Sequence, residues 1–109
     1  MSYRVRWTET ALRDLEAILD YVHAEHGVVF SKRLHDRLLP AIDGLRGMPE
    51  RCRVVPELKA IGVRAYRELL EGPYRVVFRV RGREVVVLAA LDGRRDLEEL
   101  LVARLIERP

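Results

Sequence analysis

The sequence is short of several residue types, and each shortage excludes a class of protein. Cys52 is the sole cysteine among 109 residues, so no internal disulfide can form, as is typical of proteins from reducing compartments. No apolar run approaches the ~20 residues that a membrane-spanning helix requires. The N-terminal stretch MSYRVRWTE has no apolar segment of the kind found in secretory signals. We therefore expect a cytoplasmic protein without a membrane partner.

Motifs of common catalytic and metal sites are also missing. The sequence has no glycine-rich phosphate loop, nucleophile elbow or paired-carboxylate motif. His23 and His26 could share a metal ion, but such a site needs three or four ligands and no third one is evident. Surface histidines near a helix C-terminus, where the helix dipole favours cations, explain them better. Cys52 has no activating Cys/His motif around it and fits a loop cysteine. We expect no metal, no cofactor and no catalytic residue.

The charge of the chain is basic and unevenly distributed. Lys32 and Lys59 are the only lysines among 20 basic residues, and the net charge is +3. Between residues 64 and 95, eight arginines accompany four acidic residues, a local balance of +4. Such a field favours an acidic protein or a nucleic acid as partner. The charge alone does not choose between the two.

Residues 74–91 predict a β-hairpin, because side chains alternate with period two on both sides of a turn. Gly82-Arg83 suits a type II′ turn, whose first central position needs a positive φ. This turn pairs Arg81 with Glu84. Counting back from the turn gives four same-face pairs, all of them apolar or aromatic: Val80–Val85, Phe78–Val87, Val76–Ala89 and Tyr74–Leu91. A slip of one residue would place arginines on this face, so the register is well specified.

The opposite face of the hairpin mixes arginines with apolar residues: Arg75, Val77, Arg79 and Arg81 beside Val86, Leu88 and Ala90. An apolar strip of this kind is unusual on a fully solvated face. It predicts that this side of the sheet is covered by the last helix of the chain or by a partner.

The remaining segments give the order β-α-α-β-β-β-α within one domain, residues 1–109. Residues 3–7 alternate as a strand, Thr8 caps a helix that runs to about His26, and Gly27 ends that helix. The other predicted elements are a helix at residues 29–46 that is kinked at Pro40, a strand at 63–70 and a final helix at 96–108. The expected fold is α+β, an antiparallel sheet with a helical hairpin packed on one face, in two layers.

RNA cleavage is one reaction that an arginine-rich surface can support. It needs a base for the 2′-hydroxyl, an acid for the leaving oxygen and cations for the transition-state charge. The cations could come from Arg67, Arg75, Arg79, Arg94 and Arg95. Guanidinium groups stay protonated and cannot transfer the protons. No histidine follows His35, and the final helix has no His, Tyr or Lys, so the sequence favours contact over catalysis.

Several motifs, in order and spacing, resemble the ParE branch of the RelE/ParE superfamily, the toxins of type II toxin–antitoxin pairs. The resemblance covers nearly the whole chain and is sharpest at residues 74–76 (Tyr-Arg-Val), 78–80 (Phe-Arg-Val) and 93–97 (Gly-Arg-Arg-Asp-Leu). One position departs from the pattern. Many relatives have Leu-His-Gly-Arg-Arg where this chain has Leu91-Asp92-Gly93-Arg94-Arg95, and an aspartate cannot reproduce a cationic or imidazole role.

The resemblance implies a small toxin that is held inactive by a cognate antitoxin. ParE-like members act on DNA gyrase, whereas RelE-like members cleave mRNA on the ribosome, and the missing acid and base favour the first. We therefore expect a toxin that binds an acidic antitoxin and DNA gyrase, with contacts from Arg67, Arg75, Arg79, Arg94 and Arg95. The alternative is a RelE-like ribosome-dependent mRNA endonuclease, in which the same arginines contact nucleic acid directly.

Overall fold

The computed structural model describes residues 2–94 and 97–106, and its main elements follow the predicted order. The strands are β1 (Arg4–Trp7), β2 (Arg53–Val54), β3 (Tyr66–Glu71), β4 (Tyr74–Arg81) and β5 (Glu84–Asp92), and the helices are α1 (Glu9–His26), α2 (Val28–Asp43), α3 (Pro56–Lys59) and α4 (Leu97–Ile106). Short 3-10 turns occupy Gly44–Arg46 and Pro49–Arg51. The two-residue β2 was not predicted, because two residues cannot show a period. The predicted first residue of the final helix, Asp96, lies outside the described residues.

The described strands form a five-stranded sheet in the order β1-β5-β4-β3-β2. β1 is parallel to β5, and the other neighbouring strands are antiparallel. A parallel neighbour requires a long crossover connection, and the segment that contains α1 and α2 begins that connection. The predicted α+β class, with an antiparallel sheet and a helical hairpin on one face, is confirmed, with one parallel strand pair at the β1 edge.

A β-bulge in the central hairpin corrects part of the predicted register. The pairs nearest the turn are the predicted ones, including Phe78 with Val87. Beyond them Val77 pairs with Ala89, so Leu88 is an extra residue in β5. Two predicted pairs are therefore wrong, since Val76 pairs with Ala90 rather than Ala89, and Tyr74 pairs with Asp92 rather than Leu91. An inserted residue moves all following side chains to the other face of the strand, and the alternation of the sequence does not reveal it.

Helices pack on both faces of the sheet, so the protein has three layers rather than the predicted two. Under α1 and α2 lies the larger core: Ala11, Leu15, Leu38, Ile42, Leu45, Val76, Phe78, Val85, Val87 and Ala90. On the other face a second cluster joins α3 and α4 to the strands: Val55, Leu58, Val77, Ala89, Leu91, Leu97 and Leu101. Ala90, predicted on the mixed face of the hairpin, belongs to the first cluster because of the bulge. The chain itself covers the apolar strip of that mixed face.

Local signals position the helical hairpin. Thr8 Oγ1 accepts a hydrogen bond from the Ala11 N–H at 3.1 Å and caps α1, as predicted. Gly27 has a φ of 90° between α1 and α2, a conformation that favours glycine, and its N–H donates to the His23 carbonyl at 2.9 Å.

In the part of the chain that the structure describes, no helix is both long enough and apolar enough to cross a membrane.

Candidate partner-binding surface

Four of the five predicted binding arginines lie within the described residues, and their environments differ. Arg67 on β3 is half-buried and Arg75 on β4 is buried, whereas Arg79 on β4 and Arg94 after β5 are exposed. Arg95 lies outside the described residues. The environments therefore separate the arginines that a partner can reach from the one that it cannot.

Arg75 is the centre of an ion cluster inside the protein. Its Nη1 and Nη2 donate to both carboxylate oxygens of Glu57 at 2.7 Å each. Its Nε and Nη2 donate to Glu68 at 2.6 and 3.0 Å, and Arg53 Nε donates to the same carboxylate at 2.6 Å. The side chain of Glu68 is 0% exposed and that of Arg75 is 11% exposed. Because buried charges need such partners, we assign Arg75 to the framework rather than to the contact surface.

Gly93 lies directly against this arginine, which explains a glycine at the end of β5. A Cβ atom at position 93 would lie 3.0 Å from both Arg75 Cδ and the Pro73 carbonyl oxygen. The Gly93 N–H donates to that same carbonyl at 2.7 Å. The close approach ties the segment that bears Arg94 to the turn between β3 and β4. Packing, rather than an unusual backbone conformation, therefore requires glycine in the Gly-Arg-Arg motif.

Arg79 and Arg67 project from neighbouring strands on opposite faces of the sheet. The Arg79 guanidinium carbon lies 5.8 Å from the ring centroid of Tyr66, a cation–π arrangement that holds the charge at the surface. Arg67 Nη1 donates to the Cys52 carbonyl oxygen at 2.6 Å and fixes the loop before β2. Burial raises the pKa of the Cys52 thiol, which leaves little reactive thiolate at neutral pH. Arg79 is thus open to a partner, and Arg67 is partly engaged within the chain.

Arg94 pairs with Asp92, the residue that departs from the family pattern. Arg94 Nε and Nη2 donate to the two Asp92 carboxylate oxygens at 3.0 and 2.6 Å. The Arg94 backbone N–H donates to Asp92 Oδ1 at 3.0 Å. These side-chain hydrogen bonds raise the pKa of Arg94. The Arg94 side chain is 73% exposed, so this ion pair lies at the surface.

A cleft of about 360 Å³ opens between α1 and α4, beside the end of β5. Asp92 is one of the residues that line it. The other lining residues are mainly aromatic and apolar: Ala17, Ile18, Tyr21, Tyr74, Ala90, Leu91 and Leu100. Asp14 and Arg104 form a salt bridge within it at 2.7 Å. Tyr21 is 60% exposed, so an apolar surface is available next to the Asp92–Arg94 pair.

Glu57 and Tyr74, two titratable groups near the arginines, are poorly tuned for proton transfer at neutral pH. Hydrogen bonds from Arg75 lower the pKa of Glu57, and burial, together with the Asp92 charge, raises the pKa of Tyr74. A general acid or base works best when its pKa lies near the working pH, and both shifts lead away from it. Within residues 2–94 and 97–106, no three His, Cys, Asp or Glu residues group closely enough to hold a metal ion.

Sequence reasoning missed the acidic partners of these arginines. Glu68 gave no clear signal, because both alternating sets of residues in the predicted strand at 63–70 mix charged and apolar side chains. Glu57 gave none either, since the short α3 has no clear periodicity. Asp14 and Arg104 are 90 residues apart in the chain, and no local pattern connects them.

Comparisons with known proteins agree with this geometry. A family model described as the ParE toxin of the type II toxin–antitoxin system parDE matches residues 5–97. The chain belongs to the ParE toxin family. A search of curated protein sequences finds no significant match to this ParE-family chain.

Solved structures from ParE and RelE systems share the fold of this ParE-family chain. A chain of the chromosomal ParDE system of P. aeruginosa is 25% identical, with a TM-score of 0.68 over 82% of this chain and 94% of that chain. The RelBE2 toxin–antitoxin complex of Mycobacterium tuberculosis gives 24% identity and a TM-score of 0.57, over 84% and 92%. A free E. coli RelE toxin with two arginines changed to alanine gives 16% and 0.57, over 97% of each chain. The resemblance to the RelE/ParE superfamily is confirmed.

Proposed function

We propose that this ParE-family toxin is neutralised by a cognate acidic antitoxin and acts by binding and inhibiting DNA gyrase, without catalysing a reaction. The observation that carries the proposal is the ParE family match over residues 5–97. The lowered pKa of Glu57 and the raised pKa of Tyr74 support it, because neither group is suited to the proton transfers of RNA cleavage.

The contact residues of this proposal are the arginines that a partner can reach, with Arg67 and Arg79 on opposite faces of the sheet. Arg79 and Arg94 are exposed and Arg67 is half-buried, and Arg95 follows Arg94 in the sequence. Arg75 contributes indirectly, since it holds α3 and β3 in place through Glu57 and Glu68. Apolar anchoring would come from the cleft, where Tyr21 is largely exposed.

The antitoxin that fits this surface is an acidic, partly disordered segment that folds when it binds. The local excess of positive charge attracts such a segment and speeds association, while apolar anchors set the residence time. The similar chains from P. aeruginosa and M. tuberculosis come from toxin–antitoxin systems, which supports an antitoxin partner here. A small acidic protein with a DNA-binding N-terminal half, encoded immediately upstream, is the expected antitoxin.

A supercoiling assay tests the target. Purified toxin is titrated into DNA gyrase and relaxed plasmid, and we expect supercoiling to be blocked and then restored by the upstream antitoxin. Arg94→Ala combined with Arg79→Ala is expected to weaken the inhibition. Supercoiling that proceeds normally at toxin concentrations well above that of gyrase would overturn the gyrase proposal.

A translation assay tests the endonuclease alternative. Toxin is added to a cell-free translation reaction, and the 3′ ends of the mRNA are mapped. The gyrase proposal expects intact mRNA in the same toxin preparation that blocks supercoiling. Cuts at fixed positions within codons would reject it in favour of a RelE-like ribosome-dependent endonuclease.

A further inference from the structure

We propose that Asp92 is a specificity-determining residue that withholds Arg94 from the phosphodiester groups of nucleic acid. This inference rests on the proposed function, in which the arginine surface recognises a protein rather than RNA. It is carried by the geometry of the Asp92–Arg94 pair at the end of β5.

The Asp92 carboxylate occupies one of the two pairs of parallel N–H donors that Arg94 could offer to a phosphate. A guanidinium binds a phosphate or a carboxylate with two parallel N–H donors. In Arg94 those donors, Nε and Nη2, already point to the two Asp92 oxygens at 3.0 and 2.6 Å. A phosphate can take this side-on pair of donors only by displacing a carboxylate that the chain holds in place, and the end-on pair, Nη1 and the second Nη2 N–H, offers a phosphate a site beside that carboxylate.

The backbone makes Asp92 a persistent competitor. The Arg94 N–H donates to Asp92 Oδ1 at 3.0 Å, and the pairing of Asp92 with Tyr74 fixes the residue at the end of β5. Gly93, between the two residues, is held against the Pro73 carbonyl at 2.7 Å. The carboxylate is therefore supplied at a fixed position, without the entropy loss of bringing in a separate anion.

Charge repulsion adds to this competition. A phosphate beside Arg94 would lie within a few ångströms of the Asp92 carboxylate, and like charges at such distances repel. A protein segment can avoid that repulsion because it can present neutral hydrogen-bond donors to Asp92 and apolar groups to Tyr21 and Tyr74 in the adjoining cleft. The Asp92–Arg94 pair and the adjoining cleft thus favour a protein segment, folded or folding, over the uniformly anionic backbone of a nucleic acid.

The chain offers a matched control at the other end of β5. Asp43 and Arg46 also form an exposed ion pair, with Arg46 Nε donating to Asp43 Oδ1 at 2.6 Å. The Arg46 carbonyl accepts a hydrogen bond from the Tyr3 N–H just before β1, and the Arg83 carbonyl, just before β5, accepts one from the Arg4 N–H. Asp43→Asn therefore changes the net charge by the same amount as Asp92→Asn and releases an arginine far from the cleft.

The experiment measures binding of a fluorescent ten-nucleotide single-stranded RNA by anisotropy at several salt concentrations. Wild type, Asp92→Asn, Asp43→Asn and Asp92→Asn/Arg94→Ala are compared, and circular dichroism melting checks that each variant is folded. We expect Asp92→Asn to raise RNA affinity about three- to tenfold and to steepen the salt dependence by about one phosphate contact, a slope change of roughly 0.7 for a single strand. The double variant should return to the wild-type affinity, and Asp43→Asn should change it less than about twofold, the range of net-charge effects alone.

Three results would overturn the inference. The first is an RNA affinity for Asp92→Asn no higher than that of Asp43→Asn, the second is a gain that persists in the Arg94→Ala background, and the third is no detectable RNA binding by any variant. Because the assay contains neither gyrase nor antitoxin, its outcome is independent of the supercoiling result. The specificity role of Asp92 can therefore fail while the gyrase proposal stands. The gyrase proposal can likewise fail while the role of Asp92 stands.

Discussion

Asp14 of α1 and Arg104 of α4 form a bidentate salt bridge across the bulge in β5. Arg104 Nη1 and Nη2 donate to the two Asp14 oxygens at 2.7 and 3.1 Å, and the side chains are only 15–17% exposed. Asp14 Oδ2 also accepts from the Ala90 N–H at 3.1 Å, while Arg104 Nη1 donates to the Leu88 carbonyl at 3.4 Å. The pair thus binds backbone groups at the bulge and joins helices from both faces of the sheet.

Removing the Asp14 carboxylate should destabilise the protein. Asp14→Ala leaves the Ala90 N–H and the Arg104 guanidinium without this acceptor, and we expect a loss of about 2–3 kcal/mol in the free energy of unfolding. Asp14→Asn keeps an acceptor for Ala90, so it should lose about half as much. Urea unfolding followed by circular dichroism measures both losses. Arg13→Ala breaks an exposed pair with Glu9 and is the control, expected to cost less than about 0.5 kcal/mol. Equal losses of stability for Asp14→Ala and Arg13→Ala would contradict the stabilising role of the Asp14–Arg104 bridge.

The Glu57–Arg75 pair should make stability depend on pH in the acid range. The folded-state pKa of Glu57 is lowered, chiefly by hydrogen bonds from Arg75. A lowered pKa gives stability that is complete above the unfolded value, about 4.3, and is lost as the pH falls through the folded value. As the pH is lowered below about 5, we expect the urea concentration at the unfolding midpoint of wild type to decrease. The same decrease should be less steep in Glu57→Gln. In an Arg75→Ala background the Glu57→Gln change should no longer alter the pH profile, and an unchanged effect there would assign the shift to another group.

Gly93 should tolerate no side chain. Gly93→Ala would place a Cβ 3.0 Å from the Pro73 carbonyl oxygen and from Arg75 Cδ, and we expect a loss of about 1–2 kcal/mol from overpacking. Gly44→Ala is the control, because its Cβ would meet no atom within 4 Å and its φ of −61° suits alanine. That control should be neutral or more stable by up to about 1 kcal/mol. Thermal unfolding ranks the two variants, and a ranking in the opposite order would refute the packing argument.

The exposed arginines should control how fast the antitoxin binds. Arg79→Ala combined with Arg94→Ala removes two surface charges from the proposed interface, and we expect the association rate at low salt to fall about tenfold with little change in dissociation. The difference from wild type should shrink in high salt, because screening weakens steering. Arg13→Ala with Arg46→Ala removes the same charge elsewhere and should change the rate far less. Stopped-flow or surface-based kinetics with the upstream antitoxin give both rates, and similar effects of the two double variants would remove these arginines from the interface.

The sequence by itself determined most of the elements and their order, because the signals for them are local. Alternation at residues 74–91, a glycine with positive φ at position 82, the Thr8 cap and Gly27 between two amphipathic helices each depend on neighbouring residues alone. The motif spacing that indicated a ParE-like toxin is equally a property of the linear chain.

Only the tertiary structure decided which arginines can meet a partner. Arg75 and Arg79 are four residues apart on one strand and look equivalent in the sequence, yet Glu57 and Glu68 enclose the first while the second stacks on Tyr66 at the surface. The bulge at Leu88 and the Asp14–Arg104 bridge depend on residues distant in the chain, so no local pattern reveals them. Whether a charge is available or already neutralised is set by the long-range contacts around it, because the free energy of a buried or paired ion depends on partners that folding alone brings together.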